Sequence, residues 1–311
     1  MSTFKELYQL LEGNIAQVIK GKEESIRYAI ITMLCRGHLL LEDVPGVGKT
    51  LLARSLAQSI NAKFNRVQCT PDLLPSDVTG VSIFNQQQNN FEFHPGPVFT
   101  NILLADEINR ATPRTQACLM ECMAEGQVTL DGTTRTLPNV FMVLATQNPI
   151  EFQGTFPLPE AQLDRFFMRV DMGYPSEEEE LRVMSMQIQT HPVNALKSVL
   201  SAEHIASAQD LVTKVRVDDK VARYIAGIVR ATRAHKDLRL GSSPRGSIAL
   251  MKAAQAAALI NGQNFVSPDT VKAMAVPVLA HRLILRGADG GNREGAVQAI
   301  TDILATVAVP V

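Results

Sequence analysis

At 311 residues, 46% of them hydrophobic and 20% charged, the chain can build two packed domains and is too apolar for global disorder. A formal net charge of -1 and a pI near 6.6 exclude the broad basic excess on which non-specific phosphate-backbone binding rests, so nucleic acid is not the expected partner. The cysteines are Cys35, Cys69, Cys118 and Cys122; the last two stand at i, i+4 with no second pair, which predicts reduced thiols rather than a zinc site.

The chain starts Met1-Ser2-Thr3-Phe4-Lys5-Glu6, without a basic-then-apolar leader, and no apolar run approaches the roughly 18 residues of a membrane span. A cytoplasmic protein with no membrane span is expected. Phe4, Leu7, Tyr8, Leu11, Ile15 and Val18 fall at three- and four-residue steps and predict a first helix. After an interruption near Gly21, Ile26, Ala29, Ile30, Met33 and Leu34 predict a second. Leu39-Leu40-Leu41 reads as a buried parallel strand, followed by a glycine-bearing turn and a helix carrying Leu52, Leu56 and Ile60. Further strands are predicted at 64–69, 102–105 and 140–145, so the first half is a parallel α/β domain.

Two hairpins interrupt that alternation. Gln127 to Leu137 turns on Asp131-Gly132, and Val81 to Phe93 places apolar residues around a polar tip. Ser176 and Glu179 form a capping box that opens a helix after Pro175. From there on only helical stripes are expected, such as Val221, Ile225, Ile228, Val229 and then Val297, Ile300, Leu304, Val307. The predicted division is therefore 1–175, an α/β domain with N-terminal helices, and 176–311, a small all-α domain.

Chemistry concentrates at three strand ends. Pro45-Gly46-Val47-Gly48-Lys49-Thr50 lets backbone N–H groups curl around phosphate at a helix start, with Lys49 toward the β- and γ-phosphates and Thr50 toward Mg²⁺. Val44 to Leu51 is the expected nucleotide-binding stretch. The strict pattern begins with glycine where this chain has Asp43; aspartate tolerates the left-handed backbone better than most residues, which accounts for the turn. Asp106 and Glu107 close the strand 102–105, one placed to hold Mg²⁺ and the other to orient the attacking water. Thr146-Gln147-Asn148-Pro149 supplies either an amide for water or γ-phosphate, or an Asn-Pro turn.

With Pro159-Glu160-Ala161-Gln162-Leu163-Asp164-Arg165-Phe166 added, the order of motifs resembles AAA+ ATPases of the helix-2-insert, pre-sensor-hairpin branch. Within it, Glu42 to Thr50 and Asp106-Glu107-Ile108-Asn109-Arg110-Ala111 are similar to MoxR proteins, along nearly the whole chain. The resemblance implies an ATP- and Mg²⁺-dependent ATPase with a helical lid. It makes Asn148 sensor 1, Arg165 an arginine finger for a neighbouring subunit, and Arg245 sensor 2 toward its own subunit's phosphate. Ile19 and Gly21 become an adenine-side contact. It also implies a homo-oligomeric, hexameric ring, with Arg110 and Arg114 as lesser interface candidates. The work expected is chaperone-like remodelling of a client complex, or metal-cofactor insertion into it, with a separate von Willebrand factor A-type partner. A nucleic-acid translocase, a chelatase motor and a slow nucleotide switch are the competing readings.

Overall fold

A computed structural model of the chain describes residues 4–148, 154–186, 192–287 and 293–310. Helices α1 (Phe4–Ile15) and α2 (Glu23–Leu34) precede strand β1 (Leu39–Glu42), whose end runs through the glycine loop into α3 (Lys49–Ser59). Strand β2 (Phe64–Gln68) and the short α4 (Pro75–Thr79) lead to a first hairpin, β3 (Gly80–Asn85) and β4 (Asn90–Pro95). Next come β5 (Ile102–Asp106), α5 (Pro113–Glu125) and a second hairpin, β6 (Gln127–Leu130) and β7 (Thr133–Thr136). Strand β8 (Met142–Gln147), the single turn α6 (Glu160–Leu163) and β9 (Met168–Val170) complete this half. The second half holds α7 (Glu177–Met186), α8 (Pro192–Ala195), α9 (Ala202–Val212), α10 (Asp219–Ala234), β10 (Leu238–Leu240), α11 (Pro244–Ile260), α12 (Pro268–Leu279), β11 (Ile284–Leu285) and α13 (Arg293–Thr306).

Five strands form one parallel sheet in the order β2-β5-β8-β1-β9. Because side chains alternate across a strand, each central strand feeds two cores. Leu39, Leu41, Ile102, Leu104, Met142 and Leu144 join α1 to α3 and the C-terminal helices in one cluster. Leu40, Leu103, Ala105, Val143 and Ala145 face the other way, against Leu119 and Met120 of α5 and against Phe166. The N-terminal helices and the C-terminal helices therefore pack on the same sheet face, in one core.

Two expectations need correction. Strand β9 carries Arg169 between two apolar residues and spans only three positions, too few for a hydrophobic run to register. The C-terminal half is not purely helical, since β10 and β11 pair antiparallel. These strands are three and two residues long, below the length at which alternation is readable. The predicted cap of α7 is present, with Ser176 N–H donating to Glu179 Oε2 at 2.8 Å.

Candidate active site

The carboxyl ends of β1, β5 and β8 lie side by side, the place where parallel sheets bind ligands. There a cleft of about 350 Å³ is lined by Pro45, Gly46, Gly48, Lys49, Thr50, Leu51, Arg66, Asp106, Glu107, Thr146 and Asn148. A cavity of about 410 Å³ between α3 and Leu196 lacks any carboxylate or glycine loop. Gly46 and Gly48 take φ of 87° and 98°, the left-handed geometry that lets the backbone turn its N–H groups inward. Lys49 Nζ donates to the carbonyls of Asp43 at 2.6 Å and Val44 at 3.1 Å. Burial presses its pKa down, while Asp43, Asp106 and Glu107 pull it back.

Asp43 earns its place differently from the sequence expectation. It is absent from the residues with positive φ, so left-handed tolerance is not its role. Its buried carboxylate accepts from Val44 N–H at 2.8 Å, Met172 N–H at 2.7 Å and Gly173 N–H at 2.6 Å. A glycine could not make these bonds. Asp43 ties the loop to the chain leaving β9, next to the start of α7.

The carboxylate pair is held from several strands. Asp106 Oδ1 accepts from the Thr146 hydroxyl at 2.6 Å, and Oδ2 accepts from Arg66 of β2 at 2.6 and 3.1 Å. Glu107 has φ 56° and ψ 52°, an uncommon backbone for a non-glycine residue and of a kind that gathers at working sites. Its N–H donates to Thr146 Oγ1 at 2.8 Å. Its Oε2 accepts from Gln68 Nε2 at 2.9 Å and from Arg110 at 3.0 Å. Arg66 and Gln68 escaped the sequence reading, as did the part played by Thr146, named only as the start of its motif. The first two sit two apart on a strand that was foreseen, and so share a face. Arg110, considered for an interface, is engaged with Glu107 in its own chain.

A hydroxyl and a carboxylate on one cleft wall are hard oxygen donors that suit Mg²⁺ brought in with a phosphate. Among the described residues no cluster of three or more His, Cys, Asp or Glu forms a stand-alone metal site. Cys35, Cys69 and Cys122 are buried free thiols, and Cys118 is half-buried.

Of the remaining candidates only Asn148 reaches the cleft. Asn148 is buried on the cleft wall, while Pro149, the other half of the possible turn, lies outside the described residues. Ile19 is buried in the core and Gly21 lies against the Glu179 side chain; neither lines the cleft. Arg165 donates to the Met120 carbonyl of α5 at 2.6 Å. Arg245 is exposed in the first turn of α11, close enough to Arg282 to repel it, and does not line the cleft beside Lys49. Arg165 and Arg245 thus share one end of the molecule, around Asp164. Arg114 is exposed on α5.

The hairpins lean on each other. Ser82 donates to Asp131 at 2.5 Å, and the Arg135 guanidinium lies 3.9 Å from the centre of the Phe93 ring. Asp131 and Gly132, at φ 51° and 72°, make the tight turn expected of them. Val81, Ile83, Phe84 and Phe91 are exposed, Phe91 at 72%.

A model of the ATPase family associated with various cellular activities (AAA) matches residues 38–168, and one of the AAA lid domain matches residues 230–303. YeaC of Bacillus subtilis is 51% identical, covering 96% of this chain and 93% of its own. Chaperone MoxR1 of Mycobacterium tuberculosis is 38% identical over 95% of this chain and 80% of its own. A crystal structure of a Cytophaga hutchinsonii protein superposes with a TM-score of 0.90 at 37% identity, over 99% of this chain and 96% of that one.

Proposed function

The chain belongs to the MoxR family of AAA+ ATPases, and on that premise we propose that it couples ATP hydrolysis to chaperone-like remodelling of a protein client. The observation that carries the choice of client is the hairpin face. It exposes Val81, Ile83, Phe84 and Phe91 beside an uncharged tip from Gln86 to Asn90, and Arg135, the only Lys or Arg in 81–93 and 127–137, is engaged with Phe93 and with the carbonyls of Leu130 and Thr133. A nucleic-acid strand requires free cations beside its stacking surfaces. An extended apolar polypeptide does not.

Within the cleft, the loop from Val44 to Leu51 would cradle the phosphates, with Lys49 reaching their terminal oxygens. Thr50 and Asp106 would hold Mg²⁺, which when bound neutralises phosphate charge. Glu107 is the group that orients the attacking water, its free Oε1 left for that purpose by two donors on Oε2. Asn148 would watch the terminal phosphate from the end of β8. We place Arg165 and Arg245 together at the nucleotide of a neighbouring subunit in a hexameric ring, rather than Arg245 at its own. Complex assembly or metal-cofactor insertion, with a separate von Willebrand factor A-type partner, is the cellular role we infer from family resemblance alone.

The test is ATPase rate across protein concentrations, with mass measured in parallel, in the presence of unfolded casein or a single-stranded oligonucleotide. Specific activity should rise as a six-subunit species forms, and casein should stimulate it further. Stimulation by the oligonucleotide with casein inert would replace this reading by the translocase.

A further inference from the structure

We propose that Arg282 is a positioning residue for Arg165, acting through Asp164 to fix the finger to the C-terminal helices. This rests on the reading above that Arg165 completes the nucleotide site of a neighbouring subunit.

Arg282 follows α12 in a short 3-10 turn, and its side chain is 3% exposed. A guanidinium has five N–H donors in a fixed fork. Here Nε donates to Val278 O at 2.8 Å, staying within its own turn. Nη1 donates to the Asp164 carbonyl at 2.8 Å and to its carboxylate Oδ1. Nη2 donates to Phe166 O at 2.6 Å and to Phe167 O at 3.4 Å. Four of the five contacts therefore fall on residues 164, 166 and 167, which bracket Arg165. The neighbouring His281 ring adds a bond to Phe166 O at 3.0 Å.

Asp164 is also held from a second element. Its Oδ2 accepts from Ser243 Oγ at 3.0 Å, and the same Ser243 oxygen caps α11 by accepting from Arg245 N–H at 3.2 Å. The residues flanking Arg165 are thus fixed to two C-terminal elements, while its own side chain rests on α5. A buried ion pair is poor evidence of stability, because apolar residues of similar volume often serve as well. What the fork adds is geometry: it locks the residues on both sides of Arg165 to one body. A movement of α11 and α12 against the sheet then carries Arg165 and Arg245 together.

The experiment uses Arg282→Lys and the isosteric Asp164→Asn in the full chain, with Arg165→Ala as reference. Each positioning variant should lower kcat by about 10- to 100-fold, the scale of an ångström-sized misplacement, with KM unchanged. Each is then mixed with excess Lys49→Ala subunits, which lack a working cleft but carry a native finger, and normalised to wild type mixed the same way. Turnover per competent site should return to the wild-type value, because the variant's own cleft is intact and faces a native Arg165. A merely structural defect would not be repaired by a neighbour. If Arg165→Ala is rescued in such mixtures and the two variants are not, or if both variants keep full activity alone, the proposal is overturned. If Arg165→Ala itself is not rescued, the trans reading falls and the proposal with it. Should Arg282→Lys not fold, Asp164→Asn carries the test, since its carboxylate is partly exposed and the amide keeps the volume.

Discussion

Around the glycine loop the chain supplies both signs of charge in alternation. Lys49 stands by Asp43, Asp106 and Glu107, Arg66 pairs with Asp106, and Arg110 pairs with Glu107. Around Asp164 the balance differs. Arg282 pairs with Asp164 and Arg239 lies 3.7 Å from Glu160, but neither Arg165 nor Arg245 forms an ion pair with a described residue. The cleft is internally compensated. The end around Asp164 carries positive charge on Arg165 and Arg245 without an ion-pair partner among the described residues, and no glycine loop shapes a pocket there. That contrast is what one expects when one region is a binding site and the other is half of somebody else's.

The comparison breaks most sharply at Arg165. Arg165→Ala should cut turnover by about 10³-fold or more, the scale of an arginine supplied in trans, while binding of a fluorescent nucleotide analogue stays unchanged. Loss of binding in a monomeric preparation would put Arg165 in its own cleft and erase the distinction. Next in size is Glu107→Gln, which keeps the volume and removes the charge. Hydrolysis should fall by about 10²- to 10³-fold with nucleotide affinity retained, as for a group acting in proton handling. Preserved single-turnover hydrolysis would hand that role to another residue.

His38 stands at the amino end of β1, away from the cleft and next to the chain that carries Arg165. Its ring accepts from Val143 N–H at 3.0 Å, lies 3.0 Å from Met123 O, and its carbonyl accepts from Phe167 N–H at 2.8 Å, just past Arg165. Burial pushes its pKa from 6.5 down to about 4. The neutral ring is therefore favoured in the fold. Stability from this residue is complete above pH 6.5 and is lost as pH falls toward about 4, where the folded form also protonates. The loss is on the order of 3 kcal/mol. His281, pushed well below its ordinary value by burial and by Arg282 and Arg169, adds in the same direction. Urea unfolding across that window should show a smaller slope for His38→Gln than for wild type; an equal slope would remove His38 as the source.

Much of the cleft was legible because its signals are local. Leucine runs mark buried strands, Gly46 and Gly48 mark a loop that only they can turn, and Asp106-Glu107 follows a strand end. What was not legible depends on pairing across distance. Gln68 meets Glu107 only because β2 lies beside β5 in a register that sets Gln68 opposite Asp106. Arg282 meets Asp164 across 118 positions, and nothing near Arg282 announces that it is buried. Asp43 was noticed as a departure, yet its partners Met172 and Gly173 come from the far end of the sheet domain. Which way Arg245 faces was illegible for the same reason: a helix start reads the same whether it faces its own loop or Asp164.

The finest test of the contrast is Gln68. It donates to the same Glu107 oxygen as Arg110, so the carboxylate is held twice on Oε2. Gln68→Ala removes one of the two and should leave the cleft's charges unchanged. Turnover should fall by roughly three- to ten-fold at constant KM, because an orienting bond is lost while general-base capacity remains. The same substitution should not alter how mixed oligomers with Lys49→Ala behave, since the defect stays inside its own cleft and no neighbour can repair it. A rise in basal turnover would mean instead that Gln68 restrains Glu107 from its water. Rescue by a neighbour would mean that cleft and finger are not separable, and the division drawn between the two regions would have to be given up.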